Sequence, residues 1–169
     1  AYRWNWDAPL LVSRHDASTI YFAANKLFKS ENRGDDWSTI SPDLSRQLDR
    51  NKLPVMGQVW TMDAVMKNKS TTIYGNIVAL DESPLKQGLL YAGTDDGLIQ
   101  ITNDDGKTWR KVDAIKCVPA RTKVNMLTAS LHDENEAFVA FNSQRDGDFT
   151  PYLLRTGDQG KTWESIASN

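Results

Sequence analysis

Three stretches of this chain repeat one short pattern. Ser30-Glu31-Asn32-Arg33-Gly34-Asp35-Asp36-Trp37 aligns with Thr102-Asn103-Asp104-Asp105-Gly106-Lys107-Thr108-Trp109 and with Thr156-Gly157-Asp158-Gln159-Gly160-Lys161-Thr162-Trp163. The shared form is Ser/Thr, x, Asp/Asn, x, Gly, x, Thr/Asp, Trp. Such a repeat narrows the choice of fold sharply, because one repeat is one supersecondary unit whose apolar face has to be covered by its neighbour. The chemistry is that of a turn. A hydroxyl and a short carboxylate or amide accept hydrogen bonds from nearby backbone N–H groups, and the glycine takes a positive φ. The Trp that follows supplies a large apolar anchor with one N–H to satisfy.

Each copy follows a short apolar run, Lys26-Leu27-Phe28-Lys29, Gly97-Leu98-Ile99-Gln100-Ile101 or Pro151-Tyr152-Leu153-Leu154-Arg155, and leads into polar and apolar alternation. That reads as strand, turn, strand. Two further runs precede each copy. The nearer are Thr19–Ala24, Gly88–Gly93 and Ala137–Phe141, and the farther are Pro9–Ser13, Gly75–Leu80 and Val124–Ala129. The expected unit is a four-stranded antiparallel meander of roughly 40 residues, the size of one β-propeller blade. The predicted fold is therefore all-β, a segment of about three such blades. Blade one is placed at 1–40, an insertion at 41–72, blade two at 73–112, and a connector with blade three at 113–169. The insertion is expected because Trp37 and Trp109 lie farther apart than Trp109 and Trp163. Within it, Ser41-Pro42-Asp43 predicts a helix start with Ser as N-cap and Pro at the first helical position, and the helix is expected to end near Arg50. Propellers usually close with about four to eight blades, so the remaining blades of a longer parent chain are expected as partners of this segment.

With Asn32 for Asp and Asp36 for Thr in the first copy, the pattern resembles the bacterial neuraminidase repeat, or Asp-box, written Ser-x-Asp-x-Gly-x-Thr-Trp. Families with such repeats include sialidases, xyloglucanases, sortilin-type ectodomains and a photosystem assembly factor. The run Asn5-Trp6-Asp7-Ala8-Pro9 before the first blade looks most like that of large bacterial sortilin-like repeat proteins. The resemblance implies structural turns at Ser30, Asn32, Gly34, Trp37, Thr102, Asp104, Gly106, Trp109, Thr156, Asp158, Gly160 and Trp163. It also implies an exported location, in the periplasm, at the cell surface or secreted. It does not by itself imply an activity, because these turns occur across unrelated functions. A sialidase resemblance would require a cluster of three arginines, but the Arg-Ile-Pro signature is absent and no Arg sits in the apolar cores of the presumed first strands.

Composition narrows the classes of function. Lys plus Arg number 20 against 22 Asp plus Glu, for a net charge of -2. That balance argues against nucleic-acid binding and against a polybasic membrane patch. No apolar run is long enough to span a membrane. The single cysteine, Cys117, excludes an internal disulfide and a Cys-cluster metal site.

In a meander, connectors alternate between two faces. The Gly-Trp turns are expected to share a face with His15 and His132, which occupy equivalent repeat positions and read as turn residues. The opposite face takes the loops at Asn25, Asp95-Asp96 and 142–150, together with the segments between blades. Its candidate ligand residues are Asp95, Asp96, Arg145, Asp146 and Trp60, and Trp4 and Trp6 read either as core packing or as a stacking platform. Asp95-Asp96 is the best acidic pair, yet adjacent carboxylates do not flank a glycosidic bond, and a turn before Gly97 is the plainer reading. The loop 142–148 lacks the Gly and Glu placement of a calcium loop. No catalytic residue, metal or cofactor is expected. The leading reading is a non-catalytic scaffold or protein- or peptide-binding segment of a larger sortilin-like propeller. The alternative is a fragment of a sialidase-like or xyloglucanase-like glycoside hydrolase whose catalytic residues lie elsewhere. Strand residues near Leu10, Val12, Phe22, Val139 and Phe141 are expected to be left partly uncovered at the open ends and to promote self-association.

Overall fold

The computed structural model describes residues 1–67 and 74–167. Residues 68–72 of the expected insertion and residue 73, the expected start of blade two, lie outside the described residues. Apolar and polar alternation resolves into three four-stranded antiparallel sheets, each a simple meander. The first holds β1 (Leu10–Val12), β2 (Ile20–Ala23), β3 (Leu27–Ser30) and β4 (Ser38–Thr39). The second holds β5 (Ile77–Glu82), β6 (Leu90–Thr94), β7 (Ile99–Thr102) and β8 (Arg110–Val112). The third holds β9 (Lys123–Ala129), β10 (Ala137–Asn142), β11 (Tyr152–Thr156) and β12 (Glu164–Ser165). The molecule is an all-β partial propeller whose blades stack face to face.

Two apolar seams hold the stack together. Tyr21, Ala23, Leu27, Leu44, Ile77, Leu90 and Ala92 bury the seam between blades one and two. A larger cluster, including Tyr91, Ile99, Val124, Leu127, Val139, Phe141 and Leu154, buries the seam between blades two and three. Close approach in this second seam is possible because Gly93 lacks a side chain where Val124 packs. Burial of this kind stabilises at roughly 25 cal/mol per Å² of apolar surface.

The expectation that Val139 and Phe141 lie at an open end is incorrect. Both are buried against blade two. Alternation along β10 instead turns Phe138 and Ala140 to the free side, because strand residues one apart face opposite sides.

The predicted helix at 41–50 does not form either. The Ser41 hydroxyl accepts the Leu27 N–H at 2.7 Å instead of capping a helix. Asp43 is drawn to Arg3, Asn25 and Ser45, and Leu44 is buried in the first seam. The segment is spent as a bridge between blades, and its helical content is the 3₁₀ turn Arg50–Lys52.

Candidate functional site

The three Gly-Trp turns are built alike. The hydroxyls of Ser30, Thr102 and Thr156 accept the N–H groups of Gly34, Gly106 and Gly160 at 2.8, 2.9 and 2.8 Å. Oδ1 of Asn32, Asp104 and Asp158 accepts the N–H of Asp36, Thr108 and Thr162, each at 2.9 Å. Arg33, Asp105 and Gln159, with φ of 63°, 59° and 57°, each donate a backbone N–H to the carbonyl of the residue two before the second strand starts, namely Ser18, Gly88 and Asn135. The turns thereby satisfy these backbone N–H groups from within the same blade. Trp109 and Trp163 are half-buried in the seams, whereas Trp37 stays 43% exposed. His15 shares this side and its Nε2 lies 2.8 Å from the Ser83 carbonyl, so it joins two blades.

The opposite face carries the loops between second and third strands. Asn25, Asp95 and Asn142 stand at one repeat position, two residues after the equivalent Ala23, Gly93 and Ala140, and each uses its side-chain oxygen on backbone. Asn25 accepts the Arg3 N–H, Asp95 accepts those of Gly75 and Asn76, and Asn142 accepts that of Gln144. In the first two blades the bond tethers the segment leading into the first strand. Asp95 accepts in addition from the amides of Asn5 and Asn76. Asp96 is fully buried and accepts the Thr94 hydroxyl at 2.6 Å and the Arg46 N–H at 2.8 Å. Burial pushes its carboxyl upward, against those two bonds. Partial burial, with the negative charges of Asp96 and Asp95 adding to it, pushes the half-buried Tyr74 up to about 12. The adjacent carboxylates are thus structural ties, with no arrangement across a cleft.

The structure does not gather the other expected ligand residues around this pair. Arg145 and Asp146 stand exposed in the 3₁₀ turn Gln144–Asp146 on blade three. Trp60 lies in a groove lined by Leu53, Val55, Met56, Val65 and Lys67 of the insertion itself, and its Nε1 donates to the Val55 carbonyl. Trp4, itself exposed, stacks on Phe28 and lies tilted against Phe22 on the outer side of blade one.

Two exposed aromatics that repeat spacing did not single out as a pair stand on the loop face. Trp6, 85% exposed, is held there because its neighbours Asn5 and Asp7 bind Asp95 and Lys123. Phe149, 77% exposed, stands in the β10–β11 loop. The available signal was their isolation, as apolar residues inside polar loops. A small cavity of about 90 Å³ lies at the second seam, lined by Ile99, Val112, Val118 and Phe141 and by Arg46, Asp113 and Arg121. Among the described residues no group of three or more His, Cys, Asp or Glu is placed to hold a metal ion, and no helix is long and apolar enough to cross a membrane.

No family model matches the sequence, and no curated protein matches it. Solved structures do. The chain is similar to YCF48 bound to D1 peptide, with 13% identity and a TM-score of 0.54 over 99% of this chain and 43% of that one. It is also similar to the GH74 xyloglucanase of Xanthomonas campestris, with 15% identity and a TM-score of 0.62 over 94% of this chain. The Niastella koreensis GH74 enzyme matches at 14% identity and a TM-score of 0.57 over 95% of this chain. The chain spans 22% of each of those two enzymes. At such identities the likeness shows the fold, and the fold is that of a β-propeller segment.

Proposed function

We propose that this chain is a non-catalytic binding segment of an Asp-box propeller of the sortilin-like type, and that it recognises an extended peptide on the loop face. The observation that carries the reading is that two strongly exposed aromatics, Trp6 and Phe149, and the exposed charges Arg145 and Asp146 all belong to the loop face. The carboxylates Asp95 and Asp96 of the same face are committed to structural bonds. Exposed aromatics with a polar rim are the usual anchors of protein recognition, and variable loops on a rigid scaffold are where binding gathers. The likeness to YCF48 bound to D1 peptide supports a peptide as the ligand class. An exported location belongs to the same proposal and rests on the family resemblance alone.

A second reading, part of a glycoside hydrolase, is supported by the likeness to GH74 enzymes. One experiment separates the two. A display library of random linear peptides and a set of xyloglucan oligosaccharides are presented to the protein and to its Trp6→Ala/Phe149→Ala variant. Peptide binding that falls at least tenfold in the variant, with an unchanged melting temperature, supports the proposal. Oligosaccharide cleavage, or peptide binding that the variant retains, overturns it.

A further inference from the structure

The two free blade faces carry residues whose repeat equivalents are covered inside the molecule. Strand pairing sets the equivalence. Leu10 opposes Phe22 as Leu127 opposes Val139, yet Leu10 is 66% exposed and Leu127 only 4%. Val12 stands where Ala129 does in blade three, and it too is exposed while Ala129 is buried. At the other end, Phe138 occupies the position of Tyr21 and Tyr91, which are buried in the two seams, but Phe138 is only half-buried. Leu153 stands where Leu27 and Ile99 do and is exposed where both of those are buried.

The first seam shows how such faces meet. Trp109 Nε1 donates to the Ile40 carbonyl of the preceding blade, and Gly106 lies so close that a Cβ there would stand 2.5 Å from the same oxygen. On blade one, Gly34 and Trp37 repeat the Gly106–Trp109 half of this contact, and a Cβ on Gly34 would meet only Trp37 of its own turn. On blade three, Ile166 repeats the Ile40 half, the side whose carbonyl accepts. Its N–H bonds the Leu153 carbonyl as that of Ile40 bonds Leu27, and it is exposed. Tyr2 and Trp4 cover Phe28 and part of Phe22 but leave Leu10 and Val12 open.

We propose that, in the three-blade chain by itself, the two free faces are complementary halves of one seam and bind each other in a second copy, head to tail; where further blades adjoin the chain, they take the same faces. The Ile166 edge of blade three then seats over Gly34 and Trp37 of blade one in the partner. The occupant is a second copy because both halves are present on one chain and both match a seam that the molecule already forms. Two copies closed in this way give six blades, within the usual range of about four to eight.

The test is sedimentation of the chain alongside Leu10→Asp and Leu153→Asp, each checked for folding by circular dichroism. The expected result is a dimer for the unaltered protein and a monomer for each variant. An equimolar mixture of the two variants is expected to recover pairing, since one face of each stays intact. Val12→Lys and Met126→Lys repeat the design on neighbouring exposed residues if either Asp variant fails to fold. A monomeric unaltered protein at high concentration overturns the proposal. So does association that only one of the two substitutions abolishes, which marks a like-to-like contact, or association that neither abolishes.

Discussion

At the scale of residues, the first turn shows that the repeat conserves a hydrogen-bond pattern and not a pair of residue types. In the second and third turns the Thr108 and Thr162 hydroxyls donate to Oδ2 of Asp104 and Asp158 at 2.6 and 2.7 Å. In the first, the Asn32 amide donates to the Asp36 carboxylate at 2.9 Å. Donor and acceptor have changed places across the same turn, which is why Asn and Asp at these two positions fold it as well as Asp and Thr. Asn32→Asp alone would set two carboxylates against each other, and Asp36→Thr alone would remove the acceptor of the Asn32 amide. The double variant rebuilds the pattern of the other turns. A double-mutant cycle read by urea denaturation is expected to give a favourable coupling of about 0.5–3 kcal/mol. Additive effects would show that the side chains do not act as a pair.

At the scale of elements, the connector after blade one works as a wedge. Leu44 is buried among Tyr21, Leu27 and Ile77, its N–H bonds the Asn25 carbonyl, and its own carbonyl accepts from the Gln100 side chain. Two residues on, Arg46 reaches the Asp96 and Gly97 carbonyls and Asp113 of blade two. Leu44→Ala is therefore expected to cost about 2–5 kcal/mol, as for a core leucine, in a thermal or urea melt. A loss near zero would mean a loosely laid loop. Nothing in the local pattern showed this wedge, because Ser-Pro-Asp is a sound helix start until tertiary partners claim each side chain. The strands were legible because alternation and turn chemistry are local properties. Which neighbour each strand face meets was not, since alternation separates two sides without saying which is covered, and so Val139 was placed on the wrong one. The same limit hid the tethering role of Asp95. Its repeat equivalence with Asn25 and Asn142 was visible, but the Gly75 and Asn76 N–H groups that it binds belong to another strand's lead-in. Trp6 and Phe149 were visible only as apolar residues in polar loops, and their shared face depends on how the blades stack.

At the scale of the whole molecule, two populations of carboxylates oppose each other as pH falls. Those in the turns are depressed. The Thr108 hydroxyl and N–H, with the Thr102 hydroxyl, hold Asp104 at about 2. Burial is the largest single influence on Asp158 and pushes it up, but the Thr162 N–H and hydroxyl, the Thr156 hydroxyl and the Lys161 N–H together outweigh it and hold this carboxyl at about 2 as well. Those in the seams are raised. Burial pushes up Asp81, which accepts the Ala129 N–H across the second seam, and Asp96. An unfolded Asp titrates near ~4. Between that value and their raised folded values, Asp81 and Asp96 bind protons in the folded chain before the unfolded one does, so stability rises as pH falls through that window. Below about 4 the order reverses for the turns, because the unfolded chain now takes up protons that Asp104 and Asp158 refuse until about 2. Their contribution is fully present above about pH 4 and lost on the way down. Asp43 and Glu136, also depressed, share that loss, so two substitutions reduce it without removing it. Melting temperature is thus expected to pass through a maximum on the mildly acidic side and then fall. The variant Asp104→Asn/Asp158→Asn should show a shallower fall between about pH 4 and 2. An acid limb as steep as that of the unaltered protein would show that the turns are not where this protein stores its acid-sensitive stability.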